Sequence, residues 1–231
     1  MRWEDLKVYK NLSKEELKPA YKAFGRIIAD NMSPFGFQPF GRKLVRLSND
    51  IVQVIHVDTR GSWTGIDEYF ETEISLEPVS DKSSFIRKSE PRPAKKMEEI
   101  TKGIRNHYRI TREYELLADY LTRHIRQSIL PYFEQYDSSA NVLRSLKDIK
   151  PNGQPFGYDG LILFCELQNK VNVHAAGILD SSISQIRNFN PQSEYLAELH
   201  LYREGLRAND WTAIDEKLSA NRAEVLKKLK L

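Results

Sequence analysis

The chain has 231 residues, of which 40% are hydrophobic and 29% charged, and its formal net charge is +3. This composition excludes a disordered or membrane-embedded class, and the length allows one sizeable core with a smaller packed appendix. The single cysteine, Cys165, excludes an intrachain disulfide and a four-cysteine zinc site. It stands in the apolar run LILFC, which favours a small buried side chain over a nucleophile.

The expected location is the cytoplasm. The N-terminal stretch MRWEDLKVYK lacks the apolar core of a secretory signal. Unbroken apolar runs are far shorter than the roughly 20 residues that a membrane span needs. We therefore expect no membrane association.

The first predicted element is a helix over residues 14–32. Ser13 and Glu16 have the spacing of a capping box, in which the serine oxygen and the glutamate carboxylate satisfy free backbone amides. Pro19 predicts either a helix start near it or a kinked first turn. Apolar side chains recur at helical intervals and define a buried face: Leu17, Tyr21, Phe24, Ile28 and Met32.

Strands are predicted next. GRKLVRLSNDIVQVIHVDTR, residues 41–60, contains two apolar β-branched runs around a Ser-Asn-Asp turn and indicates a hairpin. YFETEISLEPV, residues 69–79, alternates apolar and polar residues, which is typical of a half-solvated antiparallel strand. Glu71, Glu73 and Glu77 are assigned to its solvated face, and the other face of the sheet is expected to lie on the first helix.

Regular patterns are missing between residues 80 and 103, where Pro91 and Pro93 stand among charges, so this segment is predicted to be a loop or flap. From Lys82 to Arg112 the local charge balance is +7, which leaves −4 for the remaining residues. Such a basic segment is typical of a solvated linker, or of a surface that meets an anionic partner. IRNHYRIT, residues 104–111, is expected to return as a last strand.

The second half is predicted to be helical. An amphipathic helix follows residue 112 until Pro131 kinks or ends it, and KPNGQPFGYDG, residues 150–160, marks a break. Two helix–turn–helix passages then align at a spacing near 35 residues, with Ile178-Leu179-Asp180 matching Ala213-Ile214-Asp215. Helix pairs at this period resemble tetratricopeptide repeats, although a helical bundle with coincidental spacing fits the pattern as well.

These elements define an α+β fold. We expect an N-terminal helix packed on an antiparallel sheet, followed by an α-helical C-terminal half with tetratricopeptide-like helix pairs. The predicted domains are residues 1–150, with the basic flap at 80–103, and residues 151–231, a helical-hairpin subdomain.

The stretch IVQVIHVDTRGSW, from residue 51, ends a strand in a polar cluster. Alternation places His56 and Asp58 on one face, where the pair could ligate a metal or where Asp58 could orient an imidazole base. A metal site needs three or four convergent ligands, and no second compact cluster accompanies this pair. The pattern therefore favours an ordinary strand end.

Other catalytic motifs are missing from the sequence. It contains no phosphate-binding glycine loop, no G-x-S-x-G, no H-E-x-x-H and no kinase signature. NHYRITREY mixes arginine with tyrosine and could stack on bases, but no RNA-recognition signature accompanies it. A nucleic acid is therefore not the expected partner.

The segment MSPFGFQPFGRKLVRLSNDIVQVIHVDTRGSW resembles the opening of an uncharacterised bacterial family, domain of unknown function 4304. The matching positions are Gly36-Phe37, Gly41-Arg42, Arg46 and Val54-Ile55. Asp58 and Arg60 depart from the glutamine and serine that are common in the family. ILPYFEQYDSSANVLRSL is similar to a later family segment, so the resemblance covers residues 14–148. It implies a bacterial α+β domain and carries no activity to this chain.

The predicted function is a non-enzymatic protein-binding module, an adaptor or a neutralising partner. No catalytic, cofactor-binding or metal-binding residue is assigned, no cofactor is predicted, and a protein is the expected partner. One alternative is a metal-assisted hydrolase that uses His56 and Asp58, and another is a nucleic-acid binder that uses residues 82–112. The candidate binding surface consists of Arg46, His56, Asp58, Arg60 and Trp63.

Overall fold

A computed structural model gives the fold. It describes residues 2–61, 68–82, 85, 94–101, 103–104, 108–145 and 158–231, and for residues 58–61, 68–70 and 94 it describes the backbone alone. The chain divides into two compact units that are interleaved in sequence. The first unit contains Met1–Arg46, Gln53–Ser75 and Ala94–Gln135, and the second contains Leu47–Val52, Leu76–Pro93 and Tyr136–Leu231. The predicted boundary between residues 150 and 151 lies outside the described residues.

Helix α1 is Lys14–Met32, as the sequence predicts, and Ser13 and Glu16 form the complete capping box. The helix begins before Pro19, so a start at the proline is wrong. Its predicted apolar face is buried, with Tyr21 half-buried at the margin. The capping residues and the helical periodicity are local signals, which is why the sequence predicts this element correctly.

The sheet has the order β1-β2-β3-β4-β5, and β6 also pairs with β4. The predicted hairpin is confirmed as β2 and β3, with Asn49 in its turn at a φ of 52°, a left-handed conformation that asparagine tolerates. Of the predicted strand IRNHYRIT, Tyr108–Arg109 is confirmed as the short β6, and residues 105–107 lie outside the described residues. The strand bounds are β1 Gln38–Phe40, β2 Lys43–Ser48, β3 Ile51–Gly61, β4 Glu68–Pro78, β5 Ala94–Lys96 and β6 Tyr108–Arg109.

The prediction that β4 is half-solvated is wrong. Glu71 and Glu77 are each 2% exposed, and Ser75 on the same face is buried as well. Ile74 and Leu76 on the other face are also buried. Alternation of polar and apolar residues indicates which side chains share a face, but it does not report what packs over that face.

The prediction of a loop over residues 80–103 is wrong for its second part. Ala94–Lys96 forms β5, which pairs antiparallel with β4 and places Lys96 opposite Glu73. Helix α2, Met97–Ile100, follows directly, and Met97 is buried. The sequence signal failed because two adjacent lysines disfavour a strand, whereas the backbone of β4 supplies pairing partners that local propensity does not contain.

The long helix of the first unit continues through Pro131. Helix α3, Tyr114–His124, passes into a π-helical turn at Ile125–Ile129, and α4, Leu130–Gln135, follows. The expected irregularity is therefore a π turn that ends two residues before the proline. A wider turn of this kind accommodates a residue that lacks a backbone donor.

The helices of the second unit follow as α5 to α9, and the predicted helix pairs are present as α6 with α7 and α8 with α9. Leu179 and Ile214, which the sequence aligns, are both completely buried in the core of this unit. No helix among the described residues is long and apolar enough to cross a membrane. The helix bounds are α5 Ser139–Arg144, α6 Tyr158–Gln168, α7 Ala175–Phe189, α8 Glu194–Ala208 and α9 Trp211–Leu229.

Candidate functional site

The described members of the predicted binding surface lie on opposite faces of the sheet. Arg46 on β2 donates through Nε to Oε1 of Gln53 at 2.7 Å and through Nη1 to the Phe35 carbonyl at 3.1 Å. His56 stands three residues after Gln53 on β3, and an odd separation along a strand places two side chains on different faces. Arg46 and His56 therefore do not line one pocket.

The rest of that surface stays a prediction. Asp58 and Arg60 lie on β3 with side chains outside the described part of the structure, and Trp63 lies outside it entirely. Arg46 has a packing role, since its guanidinium carbon lies 4.7 Å from the ring centre of Phe37. Burial lowers the pKa of Arg46, while the nearby Glu134 acts in the opposite direction.

His56 belongs to an ionisable cluster that the sequence does not reveal. Its Nδ1 lies 3.6 Å from Oε2 of Glu73, and Nζ of Lys96 lies 3.5 Å from Oε1 of the buried Glu71. The cluster is on one face of β3, β4 and β5. A buried carboxylate needs a nearby opposite charge or a hydrogen-bond donor, and Lys96 supplies one for Glu71.

The metal hypothesis finds no support in the described residues. Among them, no three His, Cys, Asp or Glu side chains are placed to hold a metal ion. Of the two predicted metal ligands, His56 is the one whose side chain the structure describes, and its ring lies beside the carboxylate of Glu73. Its second ligand, Asp58, has a side chain outside the described part, so the hydrolase alternative stays untested.

The basic segment 82–112 is partly neutralised by ion pairs. Nζ of Lys82 pairs with Glu224, and Nη2 of Arg112 lies 3.3 Å from Oε1 of Glu16. Lys96 faces Glu71 in the cluster above. Three described cations of the segment therefore have carboxylate partners, which weakens the segment as a binder of phosphate groups.

Cys165 is a core residue, as expected. Its side chain is completely buried on α6. Burial raises the pKa of the thiol well above its ordinary value, and the carboxylates of Asp50, Asp81 and Glu166 act in the same direction. A thiol held in its neutral form is a poor nucleophile.

A groove lies in the first unit between α1 and the β1–β2 hairpin, and we call it the α1 groove. Its volume is about 700 Å³, within the range of sites that hold a small ligand or the anchoring part of a larger one. The hydroxyl of Tyr21 donates to the Val57 carbonyl at 3.0 Å and ties α1 to β3. The apolar floor consists of Ile28, Ala29, Leu44 and Val57.

Positive charge dominates the rim of the α1 groove. Lys18, Lys22 and Arg26 project from α1, and Arg42 and Lys43 come from the turn and strand opposite. Asp30 is the one carboxylate among the described lining residues, and it lies 3.6 Å from Arg26 in an exposed pair. Exposed pairs are weak because water screens them, so the Arg26–Asp30 pair does not cancel the positive charge that α1 carries along the rim.

The α1 cations form a row along the helix, which we call the basic row. Lys14, Lys18, Lys22 and Arg26 follow one another at four-residue intervals, and all four are exposed. Among the described residues, neither Lys18 nor Lys22 forms an ion pair. Like charges at this interval destabilise a helix by about 0.2–0.5 kcal/mol per pair, so an anion bound along the row would stabilise α1.

Gly25 opens the α1 groove from the helix side. It lines the groove in the middle of α1, and a β-carbon added there would meet no atom within 4 Å. Glycine inside a helix costs about 1 kcal/mol relative to alanine. The glycine therefore keeps space free at the point where the floor meets the basic row.

One signal for the α1 groove is present in the sequence, although the predicted binding surface includes no residue of α1. The four-residue spacing of the basic row can be read from KEELKPAYKAFGR once the helix is predicted. The approach of Arg42 and Lys43 to that row depends on how the hairpin packs against α1, and no local pattern encodes it.

The chain matches no protein-family model, and comparisons with curated proteins and with solved structures give no match either. The resemblance to domain of unknown function 4304 therefore stays a prediction.

Proposed function

We propose that this protein is a non-enzymatic protein-binding module whose docking site is the α1 groove. The observation that carries the proposal is the combination of an apolar floor with a rim of five cations in a volume of about 700 Å³. Apolar surface supplies affinity, and charge selects the sign of the ligand. The ligand is therefore an acidic segment that also carries apolar side chains.

Several features favour a protein over a nucleic acid as the ligand. Tyr21 is the one aromatic side chain among the described lining residues, and its hydroxyl is bound to Val57. Binders of single strands stack successive bases on aromatic rings, whereas the floor here is aliphatic. Aliphatic floors accept leucine, isoleucine or valine side chains of a protein partner.

The biological role within this proposal is that of an adaptor or a neutralising partner. A module of this kind acts by holding a partner segment. The proposal includes a cytoplasmic location, because the single cysteine is buried and cannot form an intrachain disulfide.

The test uses three forms of the tagged protein in its native extract, each treated with nuclease: wild type, Gly25→Ala and Gly25→Leu. Alanine adds a β-carbon in open space, whereas leucine extends into the α1 groove. We expect wild type and Gly25→Ala to retain one protein in stoichiometric amount, and Gly25→Leu to lose it. Retention of the same protein by all three forms, or of none by wild type, contradicts the proposal.

A further inference from the structure

We infer that the segment held in the α1 groove is an acidic amphipathic helix of the partner, with carboxylates along one row and apolar side chains along the next. This inference rests on the proposed function and specifies its ligand. Three features of the first unit carry it: the spacing of the basic row, the apolar floor beside that row, and the proline in the edge strand of the sheet.

The basic row matches the repeat of a partner helix. Successive cations from Lys14 to Arg26 are four residues apart, which corresponds to a rise of about 6 Å each and about 18 Å in total. Carboxylates at four-residue intervals on a second helix recur with the same rise. Lys14 stands one turn beyond the lining of the α1 groove, so the row extends further than a small anion would need.

The floor receives the apolar row of such a helix. Ile28, Leu44 and Val57 are buried apolar residues that line the α1 groove. Basic side chains stand on both sides of this floor, Lys22 on α1 and Arg42 on the hairpin. A helix with a row of carboxylates beside an apolar row is therefore complementary in both polarity and charge: the carboxylates face the basic row, and the apolar side chains face the floor.

The sheet edge beside the α1 groove disfavours an extended ligand. β1 is the edge strand of the sheet order, and Pro39 is its central residue, paired with Leu44. Proline has no backbone N–H, so an added strand would find an incomplete set of partners at this edge. A helix satisfies its own backbone hydrogen bonds and needs only side-chain contacts.

The test measures binding of labelled peptides by fluorescence anisotropy. The probe is a peptide of about 20 residues, long enough to be helical, with Glu at four-residue intervals along one row and Leu along the next. Its comparator has the same composition, charge and helicity, with Glu distributed around the helix. The third probe is a single-stranded oligonucleotide of about 12 nucleotides, the size that a stacking groove would hold.

Two substitutions assign the binding to the α1 groove. Lys18→Glu reverses one charge of the basic row. It replaces two repulsive pairs, with Lys14 and Lys22, by attractive ones and adds one repulsive pair with Glu15, so the pairs that it gains outnumber the pair that it loses and α1 stays folded. Gly25→Leu fills the floor. Its control is Gly177→Leu in α7, where the same side chain is added to an exposed helical glycine outside the α1 groove. We expect Lys18→Glu and Gly25→Leu to weaken the patterned peptide at least about tenfold, and Gly177→Leu to leave it unchanged.

The outcomes separate this inference from the proposed function. Equal affinity for the two peptides, or tighter binding of the oligonucleotide, overturns the acidic helix as the ligand. If no peptide binds while Gly25→Leu still loses the protein partner in extracts, the inference fails and the proposed function stands. If Gly25→Leu affects neither experiment, the α1 groove is not the docking site and both fail.

Discussion

The Tyr21 hydroxyl donates a 3.0 Å hydrogen bond to the backbone carbonyl of Val57, and this contact joins α1 to β3 at the α1 groove. It fixes the distance between the helix that carries the basic row and the strand that closes the floor. The geometry of the proposed docking site therefore depends on one tyrosine hydroxyl as well as on apolar packing.

Tyr21→Phe is expected to lower the free energy of unfolding by about 1 kcal/mol, because a net intramolecular hydrogen bond contributes roughly this much. Urea denaturation with a constant m-value measures the change. Tyr9→Phe is the control, since the Tyr9 hydroxyl makes no hydrogen bond among the described residues. Equal stability of the two variants would show that the Tyr21 bond contributes nothing.

Gly205→Ala is expected to destabilise the second unit by about 1–3 kcal/mol. A β-carbon at Gly205 in α8 would lie 2.8 Å from Cγ1 of Ile214 in α9, closer than packed carbons approach. Gly177→Ala in α7 is the matched control, because its added β-carbon meets no atom within 4 Å. The control is expected to gain up to about 1 kcal/mol from helix propensity. Thermal denaturation of both variants measures the contrast, and a shift of the same sign in both would refute the steric argument.

Asn221→Leu is expected to cost about 2–4 kcal/mol, because it removes a donor from a buried carboxylate. Asn221 Nδ2 donates to Oε1 of Glu198 at 2.8 Å and to the Tyr202 hydroxyl at 3.0 Å, and all three side chains are buried. Chemical denaturation measures the loss. The triple variant Asn221→Leu/Glu198→Leu/Tyr202→Phe should recover much of this loss, since it leaves neither a buried carboxylate nor a buried hydroxyl without a partner. If the triple variant recovers nothing, the cost lies in packing.

His124 is expected to make stability depend on pH in the acidic range. Burial lowers the pKa of His124 below its ordinary value of 6.5, and Arg123 adds to this effect while Glu4 opposes it. The unfolded chain therefore binds the proton more readily than the folded one. The stability that His124 contributes is complete above about pH 6.5 and is lost as the pH falls through the lowered pKa.

His124→Gln is expected to flatten this dependence between about pH 7 and pH 5, because glutamine does not titrate. Urea denaturation across that range gives the slope for each form. The ring centres of His124 and Tyr120 are 4.6 Å apart, so the variant also loses this packing contact at every pH. Only the difference in slope tests the prediction, and parallel curves would contradict it.

Two wrong predictions show where sequence patterns stop being informative. β4 alternates cleanly, yet Glu71 and Glu77 are buried. Ala94–Lys96 lacks a strand pattern, yet it forms β5 against β4. In both cases the deciding contact comes from residues that are distant along the chain, and neither periodicity nor propensity contains that information.

The sequence by itself determined the elements whose signals are local. Ser13 and Glu16 predict the start of α1, the Asn49 turn predicts the β2–β3 hairpin, and apolar periodicity predicts the helix pairs of the second unit. These signals act within a few residues, through backbone hydrogen bonds and the repeat of one helix or strand.

Only the tertiary structure decided the candidate site. It places Arg42 and Lys43 across a groove from the basic row of α1, and it places Arg46 and His56 on opposite faces of the sheet. A site is a set of side chains brought together by packing between elements. Local patterns determine each element, and the burial of apolar faces from different parts of the chain determines which of their side chains meet.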